Sequence, residues 1–157
     1  GLKDQKLFQS PPTEIVDGVT IKNITHDETA RLFGGITGHA GIFATAPDLI
    51  KFAKLWLKND TLKELAFQNY NLTGKLSQGL GWWGRIPDNP TNQTPSLNTP
   101  GIYSHTGFTG GILFIHLPSG SICSMLTNNR TYPNRNKLNQ NQRFIWEILI
   151  NEFLNQN

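Results

Sequence analysis

A chain of 157 residues is long enough to bury one hydrophobic core and short for two, so residues 1–157 read as a single domain. Charged residues make up only 16% and the net charge is +3, with no run of Lys or Arg able to track phosphates, which argues against nucleic acid as a partner. The lone Cys123 excludes an internal disulfide and a Cys-based metal site, and no apolar run reaches the roughly 20 residues needed to span a bilayer.

Residues 1–25 are mixed, with Pro11-Pro12 and an Asp17-Gly18 turn signal, and predict short extended pieces. Residues 26–44 (HDETARLFGGITGHAGIFA) are rich in glycine and alanine around His26 and His39, and predict a packed loop. Thr45-Ala46-Pro47-Asp48 then spells a helix start: a hydroxyl cap, an early proline and an acid three residues after the cap. A helix over about 46–58 puts Leu49, Phe52, Ala53 and Trp56 on one face. A shorter helix follows around 61–69, then a turn-rich stretch and GLGWWGRI, which reads as a strand. Trp82 and Trp83 are expected to pack one in and one out. Residues 87–100 hold four prolines without periodicity and predict a surface loop.

A meander comes next. Strands are expected near 102–107, 111–117 and 121–127, the last two joined by Pro118-Ser119-Gly120. The alternation in SICSML makes Cys123 a buried packing thiol, and His116, alternating within the apolar strand GILFIHL, is a surface or internally satisfied histidine. A closing helix over about 139–154 places Phe144, Ile148 and Leu149, with Ile145 and Phe153, on one side. A sheet with flanking helices is an α+β domain.

The chemistry centres on YSHTGFTGG, residues 103–111. In a strand, His105 and Gly107 share one face and Thr106 takes the other. A glycine lets a substrate lie against the backbone, and backbone N–H groups at such an edge can hold an acyl oxyanion. A histidine there can donate a hydrogen bond or a proton near neutral pH. The bland alternative is a Thr-Gly turn ahead of a strand, with His105 as a half-exposed filler. Ser104 and His105, being adjacent, point to opposite faces and do not form a Ser–His pair.

SHTGFTGGILFIHLPSGSICSMLTNNR resembles the C-terminal part of the serine β-lactamase, penicillin-binding protein and esterase superfamily, in which a Lys/His-Thr-Gly strand is the third active-site motif. GHAGIFATAPDLIKFAKLWL, GLGWW and YPNRN are similar to segments around that motif, so the resemblance covers roughly residues 26–150. It implies a partial β-lactamase/transpeptidase-like fold, an antiparallel sheet flanked by helices. It further implies that His105 stands where many relatives have Lys and shapes the electrostatics beside the nucleophile. Thr106 and Gly107 would align the substrate, and the Phe108 N–H would be one oxyanion donor. The substrate would carry an amide, lactam or ester bond and pass through an acyl-serine, with no cofactor. The resemblance favours a location outside the cytoplasm, on cell-wall material.

The family nucleophile is the Ser of Ser-x-x-Lys. None of Ser10, Ser77, Ser96, Ser104, Ser119, Ser121 and Ser124 has Lys three residues on. The resemblance also implies a second motif, Tyr-x-Asn or Ser-x-Asn, ahead of His105, and the only Tyr-x-Asn, Tyr132-Pro133-Asn134, follows it. The expectation is therefore the C-terminal portion of a serine hydrolase, inactive alone, whose partners are its substrate and the missing N-terminal half of the fold. Open sheet edges would favour self-association. Two alternatives stand beside it: a non-catalytic module binding wall peptide or protein in the same groove, and a metal-dependent hydrolase using His26, His39 and His105. The second is weakened by spacing, since His26 and His39 lie thirteen residues apart with no carboxylate cluster, so no metal site is assigned.

Overall fold

The Thr45 cap does what its sequence requires. In the computed structural model, which describes residues 10–73, 77–84, 99–128, 130 and 135–155, helix α2 runs Ala46–Lys58. The Thr45 hydroxyl accepts the Asp48 N–H at 3.3 Å and donates to the Asp48 carboxylate at 2.7 Å. That hydroxyl, followed by Lys51, holds the Asp48 carboxyl below its usual range. Asn59 then closes α2 and opens α3 (Asp60–Phe67), its side chain accepting the Leu62 N–H at 2.9 Å.

Nearer the N-terminus, β1 (Glu14–Val16) and β2 (Val19–Ile21) form a hairpin across Asp17-Gly18. Both turn residues have positive φ, 48° and 78°, the combination a two-residue hairpin needs to match strand twist. Helix α1 (Glu28–Leu32) is a short helix within residues 26–44, where composition predicts a packed loop and no long element. Asp27 makes it possible by accepting the Ala30 N–H at 2.7 Å, and the glycines that follow end it after five residues.

The main sheet is antiparallel, in the order β3 (Ile102–Thr106), β4 (Ile112–His116), β5 (Ser121–Met125). Ser104 faces Phe114, which faces Cys123. Alternation sends Leu113 and Ile115 toward α2 and α3, where they join Ala53, Ala66, Phe67 and Trp82. Ile102, Ile112 and Phe114 face the other way, against Trp146 and Ile150 of helix α4 (Arg135–Asn155). The sheet thus lies between two helical layers, an α+β arrangement as the composition and pattern implied.

Three expectations need correction. The GLGWWGRI stretch is no strand within the described residues; Gln78 and Trp83 make isolated bridges only, because Trp83 pairs with β3 at the single residue Ser104. On α2, Leu49, Ala53 and Trp56 pack into the core, while Phe52 stays at its margin, 47% exposed with its ring edge-on to Trp56 at 5.9 Å. The buried stripe of α4 is Gln142, Trp146 and Ile150, spaced one turn apart, while Phe144 is 66% exposed and Ile145 and Ile148 are exposed too. The apolar residues within 144–150 are spread around most of that helix's circumference, so periodicity alone does not select the face. The 87–98 loop and Tyr132-Pro133-Asn134 lie outside the described residues.

Candidate active site

β3 carries the site to its open end. Ser104 is buried, and its N–H and C=O both bond Trp83, at 2.8 Å each. Next to it His105, Thr106, Gly107 and Phe108 are all exposed. Strand alternation puts His105 on the α2/α3 face, across from Leu113, and Thr106 on the α4 face, across from Ile112. Ser104 and His105 therefore stand on opposite faces.

Because Ser104 uses its backbone groups outward, toward Trp83, the outward pair two residues on belongs to Thr106. No backbone group among the described residues meets that pair. Among the described residues the edge is closed at Ser104 and open at Thr106, the kind of edge to which an extended segment can add beside His105. The His105 ring has no hydrogen-bond or ion-pair partner among the described residues, so it stands available to a ligand.

After Thr106 the chain turns tightly. The Gly107 N–H reaches the Gly111 carbonyl at 2.8 Å, and the Gly110 N–H reaches the Gly107 carbonyl at 2.9 Å, so Phe108 and Thr109 form the turn. The Phe108 ring is gripped from outside the sheet. The His26 ring lies 4.9 Å from it, centroid to centroid, and the Arg130 guanidinium carbon 4.0 Å from its centroid. Glu14 links this corner to the hairpin, accepting from Arg31 Nη1 at 2.5 Å and standing 3.7 Å from His26 Nε2. The Asn128 side chain donates to the Pro12 carbonyl, tying the chain just after β5 to the segment before β1.

His39 is engaged elsewhere. Its Nε2 pairs with Asp27 at 3.0 Å, the residue that caps α1. The Ala30 N–H first, and His39 second, hold the Asp27 carboxyl below its usual range. His26, His39 and His105 do not form one ligand set: His26 packs on Phe108, His39 pairs with Asp27, and among the described residues no three His, Cys, Asp or Glu side chains converge. His116 Nδ1 meets the Ser119 hydroxyl at 2.8 Å, an internally satisfied histidine. Cys123, on β5 beside Phe114, packs against the α4 cluster, and burial pushes its thiol up, the reverse of what a nucleophile needs. Trp82 is 3% exposed and Trp83 43%, one in and one out. A groove of about 520 Å³ between α3 and Leu117 includes none of the site residues.

The family described as Beta-lactamase matches residues 4–145. The chain belongs to the beta-lactamase family. Curated relatives carry the name putative D-alanyl-D-alanine carboxypeptidase. The one from Escherichia coli (strain K12) is 29% identical over 126 residues, covering 73% of this chain and 28% of that protein. Those from Salmonella gallinarum (29% over 125 residues; 72% and 28%) and Escherichia coli O157:H7 (30% over 120 residues; 69% and 27%) match similarly. This beta-lactamase-family chain thus spans little more than a quarter of the length of the curated relatives it matches. No solved structure matches it.

Two features escaped the sequence reading. The grip of His26 and Arg130 on Phe108 joins residues far apart in the chain, with no local signal. The other is Ser96-Leu97-Asn98, a Ser-x-Asn ahead of His105, which lies outside the described residues.

Proposed function

We propose that this chain supplies the third-motif wall of a serine hydrolase of the β-lactamase, DD-peptidase or esterase kind. The observation that carries the reading is the open β3 edge: His105, Thr106 and Gly107 stand exposed just where the sheet's outward pairing stops. In this reading an amide, lactam or ester substrate lies extended along Thr106, its carbonyl directed at the Phe108 N–H. That N–H stabilises the developing oxyanion, and His105 adds a hydrogen bond or a proton at the same face. The names of the relatives favour a D-alanyl peptide among these substrates.

The attacking hydroxyl belongs to a portion of the fold outside these 157 residues, because no serine here has Lys three residues on. Residues 1–157 are then the C-terminal part of one domain, and the missing part is its principal partner. Surface composition supports that. Leu32, Phe33, Ile36 and Ile42 are between 72% and 88% exposed around one glycine-rich loop, and β5 has a single strand neighbour among the described residues. Without the missing part, those surfaces favour self-association. Cell-wall substrates place the parent outside the cytoplasm.

The same missing lysine motif favours a second reading, a non-catalytic module that binds wall peptide along the open edge. One experiment separates the two. A chromogenic β-lactam and a simple ester are offered to the chain alone and to the longer protein that carries it. The hydrolase reading predicts no turnover by the chain alone, turnover by the longer form, and a loss of about 10²-fold or more on His105→Ala. Peptide binding without turnover by either form would leave the binding module.

A further inference from the structure

Gln142 is a buried polar residue on the face of α4 that packs against the sheet, 4% exposed. Its Nε2 donates to the Thr127 hydroxyl at 2.5 Å, and that hydroxyl donates in turn to the Thr109 carbonyl at 3.1 Å. The direction matters. Because the amide N–H occupies the Thr127 oxygen as an acceptor, the Thr127 proton is committed to Thr109. The Thr109 carbonyl belongs to the peptide whose N–H, on Gly110, closes the turn onto the Gly107 carbonyl. Fixing that carbonyl fixes the plane of the closing peptide.

Gly110 shows how close this support lies. A Cβ built there would stand 2.3 Å from Nε2, 2.5 Å from Oε1 and 2.6 Å from Cδ of Gln142, so the amide lies directly against the turn backbone. The Thr109–Gly110 half of the turn is thereby backed by α4, and the Phe108 half by His26 and Arg130. A purely structural helix face has no need of a buried amide at this point; a leucine would pack without requiring a partner.

We propose that Gln142 and Thr127 are positioning residues, a hydrogen-bond relay from α4 that holds the 107–110 turn so that the Phe108 N–H points at the reacting carbonyl. The catalytic half of this inference rests on the hydrolase reading; the relay itself does not.

The test uses variants that differ in relay and little in volume. Thr127→Val removes the hydroxyl, Thr127→Ser keeps it, and Gln142→Glu replaces the donor by an acceptor, which turns the Thr127 proton away from Thr109. On this chain, site-resolved amide hydrogen exchange should show Gly110 exchanging at least about tenfold faster in Thr127→Val and Gln142→Glu. Thr127→Ser should stay within about threefold of the parent, and Ile115 in central β4 should be unchanged in all three. Should Gln142→Glu fail to fold, the two Thr127 variants alone decide. Unchanged Gly110 exchange in Thr127→Val, or equal acceleration at Ile115, overturns the relay. In the longer, serine-bearing protein, Thr127→Val should lower kcat about tenfold with KM within about twofold. An unchanged kcat in an active wild-type background overturns the catalytic role. A wild-type longer form with no turnover overturns the hydrolase reading and this catalytic role with it, while the exchange result still decides the relay.

Discussion

Gly110→Ala should be among the most damaging single-methyl changes in the molecule. Gly110 sits at φ 96°, where an L side chain is strained by about 1–2 kcal/mol. The added carbon would also meet the Gln142 amide at 2.3–2.6 Å, well inside contact distance. That amide is enclosed, so it moves only by giving up its bond to Thr127, and an unsatisfied buried donor costs about 1–3 kcal/mol. Together these give about 2–5 kcal/mol, a large part of the stability of a small domain. Urea unfolding followed by tryptophan fluorescence measures it, with Trp82 and Trp146 buried as reporters in the two cores. Pairing Gly110→Ala with Gln142→Ala separates the parts. Removing the amide should recover the steric share and leave the backbone strain. A Gly110→Ala protein within about 0.5 kcal/mol of wild type would refute the close packing of α4 on the turn.

The two adjacent tryptophans should respond very differently to truncation. Trp82→Ala opens the cluster of Trp56, Phe67 and Tyr103 and should cost about 3–5 kcal/mol, whereas Trp83→Ala, at a half-exposed ring, should cost under about 1; urea midpoints compare them. In acid, the α1 region should loosen through Asp27. Its folded pKa is depressed, so its contribution is complete above the ordinary carboxylate range and is lost as pH falls through the lower folded value. Protection of the Ala30 amide, its exchange rate relative to the intrinsic rate at each pH, should therefore fall below about pH 4 in wild type and show a much flatter pH response in Asp27→Asn, which keeps a capping oxygen but does not titrate. Cys123 should react with a thiol reagent at pH 8 at least about tenfold more slowly than in urea, since burial keeps it protonated; equal rates would contradict its packing between sheet and α4.

What the sequence made legible was local. Thr45 with Pro47 and Asp48 marks the start of α2, because cap, ring constraint and acid act within one turn. Alternation through Ile112–His116 marks β4, because each residue's face follows from the backbone. The strand expected near 102–107 was legible for the same reason and includes His105 and Thr106, whereas the exposure of its end was not. What stayed hidden depends on distant partners. Helix α1 is too short for periodicity to reveal, and only Asp27's capping bond defines it. Gln142 faces inward because Thr127 and the turn meet it there, and no hydrophobic pattern selects a glutamine. Trp83 reads as part of a strand, yet its strand character needs a neighbour beyond Ser104 that the described residues do not provide.

The central claim, that this chain is the nucleophile-free wall of an acyl-serine enzyme, is tested most directly by intact mass and peptide mapping. The protein bearing this sequence is taken from its producing cells and exposed to an acylating β-lactam or activated ester. The account predicts a species heavier than 17.6 kDa that gains one acyl group on a serine outside residues 1–157. A native species of 17.6 kDa that turns over substrate, or an acyl group mapped to one of the seven serines here, would contradict it.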